Sequence, residues 1–169
     1  METYKRGFEK ISQNQYYRDF EEIVKKYFSG EYTTYEEIQL PRRATALSAG
    51  YDIFSTIDFQ LLPNEDIKIP TGIKVYMQND EVLKIYPRSG LGFRYYSRLA
   101  NSVGIIDADY IQAKNEGHIW VKLRNEGTKP MLIKKGEAIC QAIFEKYLLA
   151  DWDSFEGEMR IGGFGSTSK

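Results

Sequence analysis

After Pro41 the chain breaks into short alternating runs, each closed by a turn signal, and this punctuation constrains the fold more than any other feature. "DIKIPTGIKVYM", "EVLKIYP", "HIWVKLRN" and "ICQAIFEKYLL" are rich in Ile, Val and Tyr. A period of two puts successive side chains on opposite faces of a strand. Between the runs stand "LPNED", "PTG", "QND", "PRSGLG", "NEG" twice and "KKGE", all built from residues that favour turns. Short strands at this spacing predict an all-β sandwich or barrel. No internal repeat, low-complexity tract or linker interrupts them, so residues 31–169 read as one β domain.

The segment before it has a different period. Ser12 with Gln15 three residues on is a capping-box pattern. Tyr16, Phe20, Ile23, Val24 and Tyr27 follow on one helical face, and Gly30 stands where such a helix would stop. Residues 1–30 therefore read as a helical extension that packs on the body or on a neighbouring subunit.

Composition narrows the chemistry. Lys and Arg number 23 against 24 Asp and Glu, so no global field draws nucleic acid or an anionic membrane, and any phosphate binding must be local. There is no apolar run long enough to span a bilayer and no signal-peptide pattern. With Cys140 as the single cysteine, these features predict a cytoplasmic protein. His118 is the single histidine, which argues against Ser-His-Asp or Cys-His catalysis and against multi-histidine metal sites. A water nucleophile with a carboxylate base, and a hard cation held by oxygens, remain open.

Five stretches break the strand-and-turn pattern. In "ATALSAGYDIFS", small residues lead through Gly50 to Asp52, which reads either as a turn aspartate or as a site residue. "YPRSGLGFRY" offers Arg88, Ser89 and Gly90 as an anion nest, against the reading of a solvated surface turn. In "LANSVGIIDADY", Asp107 and Asp109 are expected on one side of a period-two strand with Tyr110 opposite. Asp107 follows "VGII" and suits a partly desolvated general base; the pair could instead hold a cation, or simply be turn aspartates. In "KKGEAICQAIF", Gln141 sits in an apolar strand and must find partners, either backbone groups or a water that it orients. The tail "RIGGFGSTSK" reads as a frayed terminus or as a flap over a ligand that is flat at one end and anionic at the other. It is no P-loop, because the chain stops where the required helix would begin.

Taken in order, "SAGYDIF", "PRSGLGF", "NSVGIIDADY", "GEAICQAIF" and "RIGGFGSTS" resemble the five motifs of the trimeric, jelly-roll dUTPases, across residues 48–168. The insertion after Tyr110 is similar to that of some phage and Gram-positive members. The resemblance implies a jelly roll with a flexible C-terminal arm at residues 160–169, and hydrolysis of dUTP to dUMP and pyrophosphate with Mg²⁺. It implies Asp107 as the base that activates the attacking water, and Gln141 as a residue that places that water. Arg88, Ser89 and Gly90 would bind phosphates, Asn101 would read the uracil edge, and Tyr110 would press on the deoxyribose. Asp52 would act near the metal, through water, with Mg²⁺ held mainly by the triphosphate. Phe164 would stack on uracil, while Arg160, Gly165, Ser166 and Thr167 close over the phosphates. A homotrimer with shared sites is implied too.

The departures are the N-terminal helix, the insertion at residues 111–117, and one residue fewer than usual between Arg160 and Phe164. The helix and the insertion could offer a protein-binding surface. Other readings of the same scaffold are a dCTP deaminase, for which "RLANSVGIID" shows no clear acid/base glutamate, and a regulatory module that has lost its chemistry. A generic β-sandwich binding domain would have to match five motifs by chance.

Overall fold

The computed structural model describes residues 4–27 and 32–153. Gly30 and the tail residues Arg160, Phe164, Gly165, Ser166 and Thr167 lie outside them. In chain order the elements begin with β1 (Gly7–Lys10), α1 (Gln13–Tyr27), β2 (Arg42–Arg43), β3 (Tyr51–Phe54) and β4 (Phe59–Leu61). β5 (Asp66–Pro70), β6 (Ile73–Tyr76), β7 (Glu81–Pro87) and a short helix α2 (Ser89–Tyr95) follow. β8 (Ser97–Leu99), β9 (Gly104–Asp107), a 3-10 turn (Ala108–Gln112), β10 (Trp120–Asn125), β11 (Met131–Ile133) and β12 (Ala138–Lys146) complete the body.

The protein is all-β in its body, as the punctuated alternation predicts. One sheet has the order β2-β3-β12-β7-β9 and another the order β5-β10-β8; the pairs β1-β6 and β11-β4 complete the set. Every pairing in these sheets is antiparallel. Alternation sets which side chains go inward. In β10, Val121 and Leu123 are buried while Lys122 is exposed, and in β12 Ile139 and Ala142 are buried. These join Ile53, Leu83, Ile85 and Ile106 in one core.

The helical period before Pro41 also holds. Ser12 Oγ accepts the backbone N–H of Gln15 at 3.2 Å, which caps α1. Tyr16, Phe20 and Ile23 are buried, the first two in the same core as the sheets. Burying such side chains contributes about 1.5–3 kcal/mol each, so α1 packs on the body. The strand β1 was not legible in the polar start "METYKRGFEK"; it is held by pairing with β6, from Gly7 opposite Tyr76 to Lys10 opposite Ile73.

One expected feature is corrected. Asp107 and Asp109 do not share a period-two strand: β9 ends at Asp107, and Ala108–Gln112 turn as a 3-10 helix. The pairing of β9 with β7 ends at the same residue, Asp107 opposite Val82, so the ladder that keeps the chain extended stops there.

Candidate active site

The first cluster gathers where β3, β12 and the end of β7 run side by side. Gln141 of β12 is in register with Asp52 on one side and Tyr86 on the other. Its Nε2 donates to the carbonyl of Pro87 at 3.2 Å, so the amide is anchored on the strand that delivers Arg88. Arg88 Nε lies 3.1 Å from Asp52 Oδ1, and Nη1 donates to the Ala138 carbonyl at 3.3 Å. The β3–β12 register shifts between Ala138 and Cys140 beside that carbonyl, a local irregularity of the kind that re-aims groups at a strand's end.

Gly50 completes the cluster. A Cβ built there would stand 2.5 Å from Gln141 Oε1, so a side chain at this position would displace the amide. The sequence signal is the glycine two residues before Asp52. Beneath lies Cys140, fully buried; burial pushes its thiol well above the usual range, with Asp52 adding to the rise and Arg88 opposing it.

Arg88 also opens α2. Its backbone is extended (φ −80°, ψ 138°) and its carbonyl accepts the N–H of Gly92 at 3.0 Å. Ser89 and Gly90 are exposed, and a Cβ on Gly90 would meet nothing within 4 Å. Pro87, Arg88, Ser89, Gly92, Phe93 and Tyr96 line an open hollow of about 530 Å³. A guanidinium, a hydroxyl and an uncovered backbone beside that space suit an anionic group.

The second cluster lies around the turn between β8 and β9, strands that belong to different sheets. Asn101 is exposed in its turn and shares a pocket of about 320 Å³ with Lys68, Ala100, Trp120 and Lys122. Lys68 Nζ stands 4.1 Å from the centre of the Trp120 ring, a cation–π geometry. Lys68, Trp120 and Lys122 were not singled out from the sequence. Their only signal is their place at alternate positions of the strand runs, Trp120 and Lys122 on β10 and Lys68 opposite Lys122 on β5.

Asp107 is half-buried at the end of β9. Tyr110 is 2% exposed, with its hydroxyl donating to the His118 carbonyl at 3.0 Å. The resemblance implies a ring pressing on a sugar; the structure makes that ring a fixed, packed element rather than an open platform.

Asp107 and Gln141 do not meet within one chain. Along β7, Val82 is level with Asp107 and Tyr86 with Gln141. At about 3.3 Å per residue and about 4.8 Å between strands, that offset places the backbones of Asp107 and Gln141 roughly 16 Å apart. Among the described residues no three His, Cys, Asp or Glu side chains gather in a way that could hold a metal ion by themselves, and no helix is long and apolar enough to cross a membrane.

This fold is that of a known class of nucleotide hydrolases. The family model for dUTPase matches residues 36–168. The deoxyuridine 5'-triphosphate nucleotidohydrolase of Lactococcus lactis subsp. lactis (strain IL1403) is 43% identical over 148 residues, covering 86% of this chain and 95% of its own. The crystal structure of dUTPase from Streptococcus mutans superposes with a TM-score of 0.66 at 34% identity, covering 86% of this chain and 98% of that one. A mutant dUTPase from phage phi11 of S. aureus, described with a structural Mg(II) ion, shares the fold at a TM-score of 0.58, 20% identity, 71% of this chain and 91% of its own. The chain belongs to the dUTPase family, and its fold is the family's jelly roll. It is a hydrolase whose activity is that of a dUTPase.

Proposed function

We propose that the protein hydrolyses dUTP to dUMP and pyrophosphate at sites assembled between copies of the chain, and so limits uracil incorporation into DNA. The observation that carries the shared site is the offset along β7. Asp107 and Gln141, both assigned to the attacking water, stand with their backbones roughly 16 Å apart, farther than an Asp and a Gln side chain can span to meet at one water within a single subunit. A closed ring of copies would bring Asp107, at the end of β9 in one subunit, to Gln141 and the nest of another. A homotrimer, with the tail residues Arg160, Phe164, Gly165, Ser166 and Thr167 closing over the ligand, fits this arrangement.

In this reading Asp107 takes a proton from a water as its oxygen bonds to the α-phosphorus. The bond from that phosphorus to the α–β bridging oxygen breaks, and pyrophosphate leaves with the electron pair. Gln141, held by Pro87 and given room by Gly50, orients the water and contacts phosphate oxygens. Arg88, Ser89 and Gly90 meet the charge that grows on the leaving group. Asn101, in its pocket with Trp120, reads the uracil edge. Tyr110 is a rigid wall against a ribose 2′-hydroxyl.

Mg²⁺ would be carried chiefly by the triphosphate, with the carboxylate of Asp52 contacting it through water. When bound, that ion polarises the phosphoryl oxygens and neutralises charge. The test is pyrophosphate release by the purified protein with Mg²⁺, offered dUTP, dCTP, dTTP and UTP in parallel. Release from dUTP alone is the expected result; release from dCTP as well, or no release from dUTP by folded protein, would overturn the reading.

A further inference from the structure

The N-terminal helix and the insertion after Tyr110 have no part in the chemistry above, and they hold each other. Ser12, at the start of α1, gives its backbone N–H to Glu116 Oε2 at 2.7 Å and its hydroxyl to Glu116 Oε1 at 2.5 Å. Two turns along, Asp19 Oδ2 lies 2.5 Å from His118 Nδ1. Gly72 N–H donates to His118 Nε2 at 2.8 Å, so Nε2 is the acceptor and Nδ1 carries the proton toward Asp19. Gly117 makes the turn between them, with φ +74° and no room for a Cβ, which would stand 2.7 Å from Ile111 Cα.

From His118 two lines run to the nucleoside end of the site. Its carbonyl accepts the Tyr110 hydroxyl at 3.0 Å, and Asn115 Nδ2 donates to that same hydroxyl at 2.9 Å. Its ring packs on that of Trp120, centroids 5.3 Å apart, and Trp120 lines the pocket that holds Asn101. The histidine is fully buried, so the helix reaches it through Asp19 and through packing.

We infer that His118, anchored by Asp19 of the N-terminal helix, is a positioning residue for the nucleoside end of the substrate, fixing Tyr110 through its carbonyl with Asn115 and Trp120 through its ring. The inference rests on the reading of Tyr110 as the wall against a ribose. Steric rejection of one hydroxyl needs a wall that does not yield, and a ring whose hydroxyl is both donor and acceptor to one turn cannot slide. The same helix that completes the core thereby sets how strictly the sugar is read.

The experiment is steady-state kinetics of the full chain with dUTP and UTP, with a thermal melt for each protein. It compares wild type with Tyr110→Ala, Asp19→Ala, Asp19→Asn and Asn115→Asp. Asp19→Ala should lower the dUTP:UTP ratio of kcat/KM about tenfold, chiefly through a lower KM for UTP, with kcat for dUTP changed about twofold or less. Asp19→Asn keeps an oxygen for Nδ1–H and should restore most of the ratio. Asn115→Asp keeps the acceptor for Gly117 N–H but loses the donor to Tyr110, and should lower the ratio about threefold. This variant sits on a half-buried turn and carries the test if Asp19→Ala does not fold. A lowered melting temperature with an unchanged ratio in either variant, while Tyr110→Ala lowers the ratio, would overturn the positioning role and leave the wall intact. An unchanged ratio in Tyr110→Ala would overturn the wall, and the inference with it.

Discussion

Arg88 and Asp52 form an ion pair at 3.1 Å across the sheet, although Arg88 is the residue proposed to receive a phosphate. The pair is partly exposed, so it adds little to stability and chiefly aims the guanidinium. Arg88→Ala should lower kcat/KM for dUTP by about 10²–10³-fold, the usual cost of removing one donor to a developing anion. Melting temperature should change little. Kinetics and a melt on the same preparation check both.

The proposed sharing of sites between copies gives a quantitative expectation. Asp107→Asn and Arg88→Ala subunits, each inactive alone, should recover about a quarter of wild-type activity when denatured together in equal amounts and refolded, because each site then draws an intact base and an intact nest by chance. Sites confined to one chain would recover none. The activity of the refolded mixture decides it.

Gly50→Ala should act through Gln141. The new Cβ would stand 2.5 Å from Oε1 and drive the amide from Pro87. Turnover should fall tenfold or more, roughly 1.4 kcal/mol in the barrier, with KM moving less. Gly50→Ala in a Gln141→Ala background should cost much less, and a double-mutant cycle measures the difference.

Acid should destabilise the protein through one buried contact. Burial holds the His118 pKa below its ordinary 6.5, against the pull of Asp19. Burial works to raise Asp19, but its bonds from His118 and Gln15 win and hold it below 3.8. Both groups have folded values depressed below the unfolded ones. Each contributes stability that is present above its ordinary value and is lost as pH falls through its folded value. Melting temperature should therefore decline as pH falls below about 6.5. His118→Gln should flatten that first decline, read from melts between pH 7 and 5.

Much of this was legible in the sequence, and the reasons differ by element. The strands declared themselves because alternation is a local code: "HIWVKLRN" puts Val121 and Leu123 in the core without knowledge of their partners. The helix declared itself by Ser12 and the spacing of Tyr16, Phe20 and Ile23. Asp107 and Asp109 were misplaced on one strand because where a strand ends depends on its neighbour, and β9 stops with its pairing to β7. The strand β1 was hidden for the same reason, being defined by its pairing with β6. The site residues were proposed one motif at a time, whereas the separation of Asp107 from Gln141 is a matter of register along β7, which no single segment contains. The bond between Asp19 and His118 spans 99 positions, and neither residue carries a mark of the other.

The place of Cys140 has a practical consequence. It is the chain's single cysteine, fully buried under Asp52 and Arg88, with a thiol that burial keeps protonated. A thiol-labelling reagent can reach it only when the sheet beside Arg88 parts, since both access and thiolate are withheld in the closed state. The unmodified protein thus contains its own clock for the opening of that sheet. Labelling rates with and without nucleotide would time how firmly a bound triphosphate holds the strands together.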